Sequence, residues 1–311
     1  MADLDVVGVG LATLDVLVRL RDMPTWERGA RLDALAFEGG GPVATALVAA
    51  ARLGASVGYV GTAGSDDIGT LKVRGLVREG VDASRLVVRP GPEEQVVLVL
   101  VHQGTGERVF NSAARGTDAR LRPDELDRGY ITSARYLHLD GFHTDAGIQA
   151  AKWMREAGGT VVVDAAKSRG TVRPEVAELV RHVDVLIGGS GFVPALVGVS
   201  DVWKAGREAL RLGPKVVVQT EGLDGSFTVT ADEEFQTPAF PVDVVDTTGA
   251  GDVYHGAYIV GLLRGWDLRR TALFASAVAA LKCRQLGGRA GIPSREQALA
   301  FLAERRPEIT F

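Results

Sequence analysis

The chain has 311 residues, 46% of them hydrophobic, which is material for one large α/β domain spanning residues 1–311 with its own core. Cys283 is the only cysteine, so an intrachain disulfide is excluded and a reducing, cytoplasmic setting is expected. A formal net charge of −4, with Lys and Arg dispersed among Asp and Glu, argues against nucleic acid or an anionic membrane as a partner. The longest uncharged run, 185–200, is broken by Gly188, Gly189, Gly191 and Pro194, so no membrane span is expected. The acidic start, residues 1–5, shows no basic leader region.

In chain order, short apolar runs alternate with segments of helical period. Strands are expected over 6–9, 56–60, 136–139, 160–163, 183–187 and 215–219, and helices over 44–53, 68–79, 146–157, 173–181 and 202–210. Gly54, Gly80, Gly158 and Gly213 stand where helix C-caps belong. Strand, helix, strand in this rhythm predicts a doubly wound, mainly parallel sheet covered on both faces.

Other stretches break the rhythm. Residues 16–21, 31–37, 96–102 and 107–111 read as strands without intervening helices, the last two joined by the turn Gln103-Gly104-Thr105-Gly106. They predict a small sheet, inserted at about 15–37 and 96–112, with one solvated face. Such a sheet can cover a site as a lid or pair with a second subunit, and a homodimer through the lid is expected.

The most informative segment is Asp246-Thr247-Thr248-Gly249-Ala250-Gly251-Asp252, followed by a helix-like run over 253–263. Small residues opening a helix let the backbone approach an anion. The first N–H groups there are unpaired, and the helix dipole adds positive potential. This suits the charge on a transferring phosphoryl group. Asp252, in the first turn, is placed to take the proton of an attacking hydroxyl. In isolation, the same carboxylate would merely complement the dipole.

This segment resembles the C-terminal signature of the ribokinase-like (PfkB) carbohydrate kinases. Gly40-Gly41-Pro42-Val43-Ala44-Thr45-Ala46, leading into Ala51-Arg52-Leu53-Gly54, is similar to the N-terminal signature, and the resemblance covers essentially the whole chain. It implies a ribokinase-like fold, ATP with Mg2+, Asp252 as general base and an anion hole formed by Gly249, Ala250, Gly251 and Asp252. It also implies nucleotide contacts at Thr220, Gly222 and Gly225, at Thr248, and at Ala280, Cys283 and Gly287 near the adenine. A monovalent cation, K+, would lie among Asp246, Thr248, Lys282, Gln285, Gly287 and Gly291, although Lys282 and Arg289 are unusual neighbours for one. A dinucleotide fingerprint at Gly8-Val9-Gly10 fails at Thr13, where a third glycine is needed.

On the acceptor side the resemblance implies Asp15, Gly40, Gly41 and Thr45 as carbohydrate contacts, with Asn111, Asp140 and His143 as further candidates. Thr45 replaces the usual Asn. The Asn-x-x-Glu motif that organises magnesium is missing, since Gly188-Gly189-Ser190-Gly191 stands in its place, and Ala166 and Ser168 depart from the pattern after Asp164. Gly39–Pro42 and Gly287–Pro293 are similar to the 6-deoxy-6-sulfofructose kinases. Gly141 replaces their expected arginine and the lid lysine is lacking, so sulfonate specificity is not implied. The expected reaction is ATP-dependent phosphorylation of a primary hydroxyl on a ketose or related carbohydrate. A nucleoside, sugar phosphate or sulfosugar is an alternative acceptor. A degenerate kinase fold that senses sugars or binds a partner is the alternative of another class.

Overall fold

In the computed structural model, β1 (Val6–Val9) leads into β2 (Thr13–Leu20) and β3 (Leu32–Gly40), and the chain returns through α1 (Pro42–Arg52) to β4 (Val57–Val60) and β5 (Thr62–Gly64). Helix α2 (Asp67–Arg78) precedes β6 (Val81–Asp82), β7 (Val87–Arg89), β8 (Val96–His102) and β9 (Arg108–Ser112). Next come α3 (Arg128–Ile131), β10 (Tyr136–Leu139), α4 (Thr144–Glu156), β11 (Thr160–Ala165) and α5 (Pro174–Val180). They are followed by β12 (Val185–Gly188), α6 (Phe192–Val197), α7 (Val202–Leu210) and β13 (Val216–Thr220). The hairpin β14 (Ser226–Val229) and β15 (Glu234–Thr237) then leads to α8 (Ala250–Leu263), α9 (Leu268–Lys282) and α10 (Arg295–Arg305). The structure describes residues 4–105, 107–113, 119–168 and 170–311; residues 1–3 of the acidic start and Gly106 of the expected turn lie outside them.

The main sheet has nine strands in the order β15-β14-β13-β12-β11-β10-β1-β4-β6, parallel except for the edge hairpin. The order reverses between β1 and β10, so a crevice opens at their carboxyl ends, where doubly wound sheets place their ligands. Both faces are buried. Val6 and Val162 point into a core shared with α1, α8 and α9, while Val7, Val161 and Val163 point into a second core built on α4, α5 and α7.

The lid is a four-stranded sheet ordered β3-β2-β8-β9. Its inner face buries Leu17, Val97, Val99 and Val101. The opposite face leaves Leu35, Phe37, Leu98 and Val109 exposed, so the solvated side of this sheet is apolar. Strand β3 runs past the expected end at 37 to Gly40, because only glycine fits there: a Cβ would overlap the Asp15 carboxylate and the Thr13 hydroxyl. Helix α9 begins at Leu268, where the Asp267 side chain caps it by accepting from Arg270 N at 2.8 Å.

Candidate active site

Strand β1 ends at Val9 and the chain turns at once into β2, which carries Asp15. Its Oδ1 accepts from Thr13 Oγ1 at 2.6 Å, and burial raises its pKa against that hydrogen bond and the nearby Arg289 guanidinium. Gly41 caps α1 with φ of 89°, and a Cβ there would run into Leu11 O. Thr45 is buried behind it, its Oγ1 accepting from Arg289 Nε at 3.2 Å. Arg289 Nη2 also donates to Gly40 O at 2.8 Å. The guanidinium is enclosed, so burial lowers its pKa to about 10 against the pull of Asp15, Glu79, Asp252 and Glu38.

Of the other acceptor-side candidates, Asp140 is held by main chain. Its Oδ2 accepts from Leu11 N at 2.7 Å and Val43 N at 3.4 Å, and its Oδ1 from Phe142 N at 2.9 Å. It ties the ends of β1 and β10 to the start of α1. His143 is buried, with Nδ1 accepting from Leu121 N at 2.9 Å, and burial pushes its pKa down to about 3. Asn111 does not join the others. It pairs with Leu98 on the outer face of the lid and donates from Nδ2 to Leu98 O at 3.2 Å.

Gly249 caps α8 with φ of 72° and no side-chain cap, and a Cβ at Gly251 would meet only open space. Ala250 N donates back to Thr247 O at 3.2 Å, which leaves Gly251 N and Asp252 N as the open amides of this turn among the described residues. Open amides are what an anion needs. Asp252 stands beside them with its pKa pushed up to about 7, first by burial and then by Asp164, against the influence of His255. Asp164, at the end of β11, is itself pushed up to about 8 by burial. His255, one turn along α8, places Nδ1 2.6 Å from Gly251 O and 3.4 Å from Asp164 Oδ2. Such a cluster suits a carboxylate that must change protonation state near neutral pH.

Thr220, Gly222, Gly225, Ala280 and Cys283 line one largely apolar cavity of about 320 Å³, with Ala250 and Gly251 also contributing to its wall. Thr248 and Gly287 are not on that wall. Their N–H groups donate to Asp246, at 2.8 Å to Oδ1 and 2.9 Å to Oδ2, and so fold the signature onto the C-terminal loop. Gln285 N donates to Lys282 O at 3.3 Å, and Gly291 packs against that carbonyl where a Cβ would not fit. Lys282 is fully buried, its Nζ donating to Asp246 O at 2.9 Å.

An apolar slot, an uncapped helix start, a poised carboxylate and a polar pocket thus converge at one crevice. The model of the pfkB family carbohydrate kinases matches residues 4–295. The chain belongs to that family. As a member it is a kinase, an enzyme that transfers a phosphoryl group to an alcohol of a carbohydrate. It is 29% identical to an ATP-dependent ribose-1-phosphate kinase of Halopiger xanaduensis, over 96% of this chain and 98% of the relative. Identity to the aminoimidazole riboside kinase of Salmonella typhimurium is 32%, over 85% and 88% of the two chains. The solved ribokinase of Thermotoga maritima superposes with a TM-score of 0.84 at 26% identity, over 96% of this chain and 99% of that one.

Four residues of the kinase's site escaped the reading of its sequence. Arg289 was marked only as an odd neighbour for a cation, yet it donates to Thr45 Oγ1 and Gly40 O, two of the candidate acceptor contacts. Glu38 comes from the lid to lie against Gly287, where a Cβ would overlap its carboxylate. Arg108, also from the lid, donates to Asp246 Oδ1 at 3.3 Å and Thr247 Oγ1 at 2.6 Å. Glu221 accepts from Ser190 Oγ and from Gly191 N at 3.3 Å, and so supplies a carboxylate to the stretch that lacks the Asn-x-x-Glu motif. The signal for Arg289 was present, an arginine flanked by Gly287, Gly288 and Gly291; the others are long-range side-chain contacts without a local pattern.

Proposed function

We propose that this kinase transfers the γ-phosphoryl group of Mg·ATP to a primary hydroxyl of a ketose or related carbohydrate, with Asp252 as the general base. The observation that carries this reading is the position of Asp252, in the first turn of α8, next to Ala250 and Gly251 of the apolar cavity wall and within the field of Arg289. The Gly249–Asp252 amides receive the developing charge, and Asp15 accepts hydrogen bonds from acceptor hydroxyls. Among the described residues no group of three or more His, Cys, Asp or Glu gathers to hold a metal. Magnesium is expected on the nucleotide phosphates, with Glu221, one residue past β13, as the carboxylate to hold its waters. The buried Arg289 beside Asp15 favours an acceptor that also carries an anionic group, a sugar phosphate or sulfosugar; nucleosides complete the range to be tried. The apolar outer face of the lid, with Leu35 and Phe37 at 56% and 57% exposure, supports pairing of two copies through it. The buried lone Cys283 supports a cytoplasmic setting.

The test is coupled ADP release with Mg·ATP across ketoses, aldoses, nucleosides, sugar phosphates and sulfofructose. The expected result is an acceptor-dependent rate that falls about 10²–10⁴-fold in Asp252→Asn while ATP still binds by calorimetry. A near-normal kcat in that variant would sink the mechanism.

A further inference from the structure

The resemblance implies a monovalent cation beside the signature turn, and the side chains gathered there do not fit one. A cation at this place would need the oxygens of Asp246 and of the 282–291 loop. Several of those oxygens are already engaged. Asp246 Oδ1 accepts from Thr248 N at 2.8 Å, Thr248 Oγ1 at 2.7 Å and Arg108 Nη1 at 3.3 Å, and Oδ2 accepts from Gly287 N at 2.9 Å. Cys283 O accepts from Val245 N at 2.8 Å and Asp246 N at 3.1 Å, and Lys282 O accepts from Gln285 N at 3.3 Å. Asp246 O accepts from Lys282 Nζ at 2.9 Å.

We propose that the Lys282 ammonium is the built-in cation of this turn, and that the kinase requires no monovalent metal ion. Lys282 is the last residue of α9, so the helix end delivers the charge at a fixed place. Its side chain is wholly enclosed. A buried ammonium needs counter-charge and acceptors, and both are present: Asp246 gives its main-chain oxygen, and the Asp246 and Glu38 carboxylates supply the negative field. Arg108 already adds a second positive charge on the other side of the Asp246 carboxylate. A third cation would meet two like charges. The ammonium thereby clamps Asp246 O while Gly287 and Thr248 clamp its carboxylate. That fixes the turn from which Gly249 opens the anion site.

The inference rests on the proposed anion site only for its kinetic readout, so the test carries a second one. Wild-type enzyme is assayed in tetramethylammonium salt with and without about 0.1 M KCl at constant ionic strength. Rates and the ATP KM are expected to agree within roughly twofold, and the melting temperature to be unchanged. In Lys282→Ala, which leaves a vacant space of ammonium size, kcat/KM for ATP falls roughly 10²-fold. K+ or NH4+ restores part of the rate and raises the melting temperature. Lys282→Met fills the same space without charge; it stays impaired and no cation rescues it. Activation of the wild type by K+ of about tenfold or more, or wild-type rates in Lys282→Met, would overturn the proposal. Should Lys282→Ala fail to fold, the wild-type titration and the Met variant decide. The melting-temperature arm is independent of the acceptor: a K+-raised wild-type value overturns the inference and a flat one supports it, whatever the acceptor screen returns.

Discussion

Helices α1 and α8 pack face to face, so closely that a Cβ at Gly256 would overlap Ala46 O, and each opens on a glycine with positive φ, Gly41 at 89° and Gly249 at 72°. Neither has a side-chain cap of its own. At α1 the surrounding chain closes the start: Pro42 removes one donor, Asp140 Oδ2 takes Val43 N at 3.4 Å, and Leu11 O takes Ala44 N at 3.3 Å. At α8 Ala250 N donates to Thr247 O at 3.2 Å and the next bond is Val253 N to Gly249 O at 2.9 Å, so Gly251 N and Asp252 N between them stay open. A glycine-opened helix is thus only half of an anion site; the other half is that some amides of its first turn, here Gly251 N and Asp252 N, are left without a protein acceptor among the described residues.

The sharpest break of this comparison is an alanine at each start. Gly251→Ala has open space for its methyl and no positive φ to strain. Unfolding stability should hold or rise slightly, while kcat/KM falls about 10²-fold as the methyl enters the phosphate cradle. Equal activity in that variant would mean the cradle lies elsewhere. Gly41→Ala should behave the opposite way. With φ at 89° and Leu11 O in its path, it should lose about 2 kcal/mol of stability in urea denaturation. The smallest effect sharpens the role of Asp252. Its folded pKa of about 7 means that the deprotonated base forms as pH rises through that value, so kcat/KM should climb there. Since Asp164 raises the Asp252 pKa, Asp164→Asn should move that limb to lower pH, by up to about one unit. A limb that stays in place would remove Asp164 from the account.

Legibility followed the range of the interaction. Strands β1, β10 and β12 and helices α2 and α7 announce themselves through local period and caps, and the signature from Asp246 to Asp252 could be read as chemistry because its geometry lies within one turn. The antiparallel hairpin β14–β15 was missed, since its strands have four residues each and alternate weakly. Helix α6 was missed because Pro194 falls inside it. Asn111 was placed toward the acceptor, but a strand's period of two decides its face, and the pairing with Leu98 turns it outward. Lys282 and Arg289 were visible as residues and opaque as partners. What each touches lies 36 and 244 residues away in sequence, at Asp246 and Thr45.

Strand β3 passes into Gly40 and then α1 without a loop between them, and β2 leaves β1 by the same short route. The lid and the floor of the acceptor pocket are therefore one lever. On the proposed assignment of Asp15, Gly40 and Gly41 to the acceptor, a swing of the lid would carry those contacts with it, and acceptor affinity and product escape would share a single coordinate. Substitutions far out on the lid should then change kcat and the acceptor KM together.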